Sequence, residues 1–240
     1  MPSFKVLKRY AIAFFQDYRQ FNRRQLPREC PICGYKGLFT SVNRPPRWNA
    51  RCPSCDSRER HRLAWFYYGE NGIEPGRGLQ VLHFAPEPYL YERMKDDPGY
   101  IAVDPKMPGV EHREDMRNLT FADGTFDFTI AHHVLEHIDD DAKAMGELYR
   151  VLKPGGTAIL SVPQNLSREE TFEDASFAAD NERTAAFTAR DHLRLYGQDF
   201  GDRLEHIGFN VSTYRKSPAD EVKYGLVNTE VIYIAQKPDA

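Results

Sequence analysis

A chain of 240 residues can hold one large domain, or a medium domain with a small module. With 41% hydrophobic and 28% charged residues it is too apolar for wholesale disorder, and no run of 18 apolar residues exists to span a membrane. The net charge of −3 hides an asymmetry: residues 1–62 hold 14 Lys/Arg against 4 Asp/Glu, a balance of +10, and the remainder carries −13. Such a split directs the N-terminal part toward an anionic partner (nucleic acid, a phosphorylated substrate or a membrane surface) or toward the acidic remainder of the same chain.

Residues 4–22 set Phe4, Leu7, Ala11, Phe14, Phe15, Tyr18 and Phe21 at helical spacing among Lys5, Lys8, Arg9, Arg19 and Arg23. The pattern predicts a basic amphipathic helix within residues 1–26, docked on the rest of the protein or offered to a membrane or partner. Its longest apolar core, Ala11 to Phe15, is too short for a secretory signal, so a cytoplasmic location is expected.

Residues 27–62 contain all four cysteines, as Cys30-Pro-Ile-Cys33-Gly34 and Cys52-Pro-Ser-Cys55. Each pair places two thiolates about one turn apart, and the intervening loop returns to bring the pairs together. This spacing predicts a zinc ribbon with Cys30, Cys33, Cys52 and Cys55 as ligands. Four sulfurs leave no open position, so the zinc is expected to be structural. Disulfides are the alternative, disfavoured in a cytosolic chain, and His61 is an alternative ligand that nothing requires.

Residues 63–77 read as a linking helix and turn. From residue 78 to 240, short apolar runs alternate with helical stretches. Leu79–Ala85, Tyr100–Asp104, Phe126–His132 and Thr157–Val162 are predicted strands; residues near 88–96, 139–151 and 197–207 are predicted helices. Lys153-Pro154-Gly155-Gly156 reads as a stop and turn. This alternation predicts βαβ units and a parallel sheet. Phe209–Tyr214 and Glu230–Gln236 read as a closing antiparallel pair joined without a helix, and residues 165–190 as an irregular insertion.

The first strand of this region runs into Phe84-Ala85-Pro86-Glu87, and Asp104 ends the second, where an acid suits the hydroxyls of a ribose. Asp115-Met116 follows, then His133-Val-Leu-Glu-His137 and Leu152-Lys-Pro-Gly-Gly156. This ordered series resembles the class I S-adenosylmethionine-dependent methyltransferases of the broad type 11 branch, over about residues 78–236. The resemblance implies a Rossmann-like α/β fold with a seven-stranded sheet, mostly parallel, its last strands antiparallel, and S-adenosylmethionine as cofactor. It implies that Asp104 binds the ribose, that Asp115 and the Met116 amide contact adenine, and that Ala131 to His133 face the methionine and sulfonium portion. One departure stands out: His83 replaces the family's acid, and Ala85, Glu87 and Tyr89 stand where its glycines would be. In zinc-ribbon-bearing relatives that resemble this variant, Glu87 would meet the cofactor's ammonium group. A dinucleotide-binding domain fits worse, because pyrophosphate needs the missing glycine turn.

Methyl transfer depends on positioning the acceptor and excluding water, and an amine or hydroxyl acceptor also calls for a base near neutrality, which suits histidine. His132 and His133 sit at a strand's carboxyl end, where open α/β sheets bind ligands; His137 reads as a structural hydrogen-bonder. Strings like Asp191-His192-Leu193-Arg194-Leu195-Tyr196-Gly197 occur in type 11 relatives after a segment capping the substrate pocket. By that resemblance His192 joins the catalytic candidates, and Arg194 and Tyr196 the substrate-binding ones. The alternative is a helix cap by Asp191 and a surface ion pair by Arg194. The expected function is a methyltransferase for a small-molecule or saccharide acceptor. Alternatives are an RNA or protein methyltransferase gripping its polymer through residues 1–62, and a non-catalytic binding protein.

Overall fold

The computed structural model describes residues 4–20, 26–42, 47–104, 107–110, 112–174, 176–177, 180–187 and 189–239. The side chains of Phe14, Phe15 and Tyr18, and the whole of Phe21 and Arg23, lie outside that description. Two compact units are present, Met1–Ile73 with Arg215–Val231, and Glu74–Tyr214 with Ile232–Ala240. Among the described residues no helix is long and apolar enough to cross a membrane.

The smaller unit begins with helix α1 (Phe4–Gln20), close to the predicted span. Arg9 ties it to the second cysteine turn, donating to the carbonyls of Pro53 and Ser54. Phe4, Leu7 and Ile12 remain exposed. Two short antiparallel ladders follow, β1 (Arg28–Glu29) with β2 (Lys36–Gly37), and β3 (Thr40–Val42) with β4 (Arg47–Arg51). Helix α2 (Glu59–Glu70) comes next. The fully buried Arg62 on α2 donates to the carbonyls of Ala50, Ser57, Tyr224 and Gly225, so one guanidinium satisfies four buried acceptors.

The larger unit carries β5 (Val81–Phe84), α3 (Pro88–Met94), β6 (Tyr100–Val103), β7 (Phe126–His132), α4 (Asp141–Val151), β8 (Leu152–Ser161), β9 (Phe172–Glu173), α5 (Asp180–Phe187), β10 (Arg194–Leu195), α6 (Phe200–Ile207), β11 (Asn210–Tyr214) and β12 (Ile232–Gln236). Six strands form one sheet in the order β11-β12-β8-β7-β5-β6. Strands β6, β5, β7 and β8 are parallel, and β12 and β11 run antiparallel, as the resemblance implies. The expected seventh strand is reduced, among the described residues, to a single parallel bridge between Val103 and His112 beyond β6. β5 is buried throughout, as a strand covered on both faces must be.

Three expectations are corrected. Lys153-Pro154-Gly155-Gly156 ends α4 but makes no separate turn; it opens β8. Gly155 is left-handed (φ +75°), and a Cβ on Gly156 would stand 2.9 Å from the Lys153 carbonyl and 3.1 Å from that of Phe126. The backbone therefore turns inside the strand, where only glycine fits. Residues 165–190 are regular in part: β9 pairs with β10, α5 follows β9, and Phe172, Phe177 and Phe187 pack as an aromatic cluster. The connection from β11 to β12 contains a helix, Pro218–Tyr224. Ser217 caps it by accepting from the Asp220 N–H, Pro218 starts it and left-handed Gly225 ends it.

Candidate functional site

The sheet register aligns the candidate cofactor residues. Phe84 of β5 pairs with Val103 of β6 on one side and with Ala131 of β7 on the other. The next residue of each strand, Ala85, Asp104 and His132, therefore stands at the same level on one rim. That rim is the carboxyl edge of a parallel sheet, where such folds take ligands.

Ala85 adopts φ +46°, a conformation ordinarily left to glycine, and is exposed on the rim. The turn the family makes with glycine thus persists here with an alanine. The Ala85 N–H is tied to the Val103 carbonyl at 2.8 Å, and Pro86 is buried behind it. Glu87 is turned inward: its Oε2 lies 2.9 Å from His83 Nε2, and His83 Nδ1 lies 2.8 Å from the Tyr100 hydroxyl. Burial pushes the Tyr100 hydroxyl up, so it stays protonated beside the imidazole. His83, where the family carries an acid, thereby stands between Glu87 and Tyr100 inside the unit.

Asp104 accepts the Met107 N–H at 2.6 Å, which fixes its carboxylate at the strand end. Asp115 is exposed, and four hydrogen bonds from Arg117 hold its carboxyl down at about 2, those from the side chain contributing most. Met116 beside it is buried. His132 is buried with Nδ1 2.9 Å from the Ser161 hydroxyl. His133 has φ +55°, and its N–H bonds to the Ser161 carbonyl.

His133, His137 and His192 all converge on Glu136, in the 3-10 turn Leu135–His137 that follows β7. Sequence reasoning singled out His133 and His192 but missed Glu136; the spacing His133-x-x-Glu136-His137 was the available signal.

Arg194, expected at the acceptor site, is only 2% exposed. Its guanidinium donates to the carbonyls of Leu135, Ile138 and Asp139 and to Glu173 Oε1. Tyr196 is buried too, donating to Asp141 Oδ2 at 2.7 Å, and Arg203 binds the same carboxylate. These groups hold the turn that carries Glu136, and the ion pair that Arg194 makes with the exposed Glu173 comes from a buried guanidinium.

In the smaller unit the four cysteine sulfurs lie within 4.8 Å of one another, and all four thiols are free of disulfides. Cys30 Sγ is 3.6 Å from Cys55 Sγ, and Cys33 Sγ is 3.7 Å from Cys52 Sγ. Tetrahedral zinc with bonds of about 2.3 Å sets its sulfurs about 3.8 Å apart, so the donor set fits. Contact with the Cys30 sulfur pushes the Cys52 and Cys55 thiols up, so without a cation the cluster retains protons that a metal would displace. His61 Nδ1 instead accepts the Arg58 N–H.

Residues 77–160 match the family model described as methyltransferase domain. A Mycolicibacterium smegmatis protein named as a probable S-adenosylmethionine-dependent methyltransferase is 30% identical over 144 residues, covering 59% of this chain and 55% of that protein. An uncharacterised methyltransferase of Mycobacterium sp. (strain JLS) is 33% identical over 88 residues, covering 36% and 35%. The chain thus spans between about a third and about half the length of these relatives. Among solved structures, the YcgJ protein of Bacillus subtilis overlays with a TM-score of 0.49 at 16% identity, over 74% of this chain and 98% of that one. On the family match, residues 77–160 carry a methyltransferase domain, set in an α/β unit with the strand order β11-β12-β8-β7-β5-β6 and related to a probable S-adenosylmethionine-dependent methyltransferase.

Proposed function

We propose that the chain is an S-adenosylmethionine-dependent methyltransferase acting on a small-molecule or saccharide acceptor, with a structural zinc held by Cys30, Cys33, Cys52 and Cys55. The observation that carries the reading is the shared rim of Ala85, Asp104 and His132, set by the pairing of Phe84 with Val103 and Ala131. Bound S-adenosylmethionine supplies a methyl group on a sulfonium, electrophilic enough for direct displacement. Asp104 would accept from the ribose hydroxyls, Asp115 and the Met116 amide would meet the adenine, and Phe84 to Pro86 would shape the turn beneath the methionine portion.

A small acceptor is favoured over a polymer by how the basic N-terminal residues are used. Arg9 pairs with Asp56, Arg47 with Glu59 and Arg51 with Asp56; Arg28 donates to the Val222 carbonyl, and Arg62 is buried. Much of the local +10 is therefore already engaged within the smaller unit.

Calorimetry with S-adenosylmethionine and its demethylated product tests the reading. Binding of both is expected, and Asp104→Ala should weaken it about tenfold or more, the value of a charge-assisted hydrogen bond. No heat from either ligand would overturn it.

A further inference from the structure

Glu136 is fully buried, and neither of its carboxylate oxygens accepts a hydrogen bond. An unpartnered buried carboxylate is costly, so something else must offset the charge. Around Glu136 Oε1 stand His133 Nδ1 at 3.4 Å and the Nε2 atoms of His137 and His192 at 3.9 Å each. The His137 and His192 rings are oriented from behind by backbone. His137 Nδ1 lies 3.0 Å from the Asp191 carbonyl, and His192 Nδ1 lies 2.8 Å from that of Phe187. A carbonyl only accepts, so each Nδ1 carries a proton, and in the uncharged form of each ring the Nε2 lone pair faces the carboxylate. Two lone pairs and a carboxylate therefore point at one place, an arrangement that repels unless a cation sits among them.

Fixing Nδ1–H on a backbone carbonyl is how metal-binding histidines are commonly held. The separations, 3.9 Å from each ring nitrogen to the carboxylate oxygen, are somewhat wider than a bound ion sets, so the side chains would close inward on it. Nitrogen and oxygen ligands bonded at about 2.1 Å around a tetrahedral ion stand about 3.4 Å apart, and wider angles extend this. The one carboxylate oxygen and two ring nitrogens all lie within 4.8 Å of one another. The turn that presents them is fixed by Arg194 through the Leu135, Ile138 and Asp139 carbonyls, and the Leu193 N–H bonds to the Glu136 carbonyl.

We propose that Glu136, His137 and His192 bind a divalent transition-metal ion at the carboxyl end of β7, distinct from the cysteine site. Two imidazoles and one carboxylate suit borderline ions such as zinc, cobalt or manganese, and three protein ligands leave positions open. Glu136 forms the floor, while His137 and His133 stand toward solvent. The open positions would take a hydroxyl or carboxylate oxygen of the acceptor. That role rests on the methyltransferase reading, whereas the metal site itself does not.

Cobalt(II) titration of the full chain, its cysteine site filled with zinc, tests the site without any cofactor present. One cobalt per chain is expected, with visible d–d bands and no sulfur-to-cobalt charge transfer. Glu136→Gln and His192→Asn should each weaken cobalt binding about tenfold or more. The asparagine retains a donor for the Phe187 carbonyl, so a folded variant is obtainable; unchanged far-ultraviolet dichroism and zinc content verify it. No cobalt uptake, or equal uptake by wild type and a folded His192→Asn variant, would overturn the site. Cofactor calorimetry on the same protein reports separately on methyl-donor binding.

Discussion

Gly34 and Asp56 occupy the same place in two turns of the same construction. Each follows the second cysteine of its pair, each is left-handed (φ +74° and +70°), and each donates its N–H to the carbonyl of the first cysteine. The Cys30 and Cys52 N–H groups then bond to Tyr35 and Ser57 in matching fashion. Open space surrounds the position a Gly34 Cβ would take, so an alanine there meets only backbone strain. Gly34→Ala should lower stability by about 1–2 kcal/mol while zinc is retained, as measured by denaturant unfolding with metal analysis.

Replacing a ligand should do more. Cys52→Ser leaves three sulfurs in a buried cluster, and the variant is expected to lose its zinc and unfold the smaller unit. Metal analysis of freshly purified protein, with proteolysis of the N-terminal segment, checks this. Full zinc occupancy in the variant would contradict the assignment.

Ala85 carries a strained backbone that glycine would relieve. Against the gain from relaxing φ +46° stands the greater chain entropy glycine loses on folding, so Ala85→Gly should shift stability by less than about 1 kcal/mol and leave cofactor affinity intact. Ala85→Val, β-branched at the same angle, should lose both stability and cofactor binding. Thermal unfolding and calorimetry on the pair separate the two effects.

Arg194→Met should remove the donors that satisfy the Leu135, Ile138 and Asp139 carbonyls and leave Asp141 and Glu173 without one of their cations. The expected loss is about 3 kcal/mol or more, from buried acceptors left unpaired and a broken ion-pair network. Chemical denaturation measures it.

Asp115 offers a titration with a defined sign. Its folded-state carboxyl sits at about 2, below its ordinary value, so the stabilisation it contributes at neutral pH disappears as pH falls from about 4 toward 2. Arg117→Ala should raise it toward the ordinary value, visible in carboxyl NMR. The pair is exposed, so the accompanying stability change should be small.

How far the chain could be read follows from where its signals are local. Short apolar runs located every strand of the main sheet, and β7 matched residue for residue, because a buried strand states itself in consecutive residues. The cysteine cluster was legible from spacing alone. The helix Pro218–Tyr224 was missed although Ser217-Pro218 and Gly225 bracket it, because its residues bury little and show no apolar stripe. The spacing of His133, Glu136 and His137 hinted at a cluster, but the approach of His192 to Glu136 and the burial of Arg194 could not be placed from sequence. Both depend on carbonyls and side chains more than 50 positions away, brought together only by the return of the chain through β10.

The reach of Arg62 has a bearing on how the protein is made. Two of its four acceptors, the Tyr224 and Gly225 carbonyls, lie more than 160 residues downstream. During synthesis, then, residues 1–73 emerge well before the segment that completes their unit. Their cysteines can gather early, but the Arg62 guanidinium is only half satisfied, by Ala50 and Ser57, until residues 224 and 225 arrive.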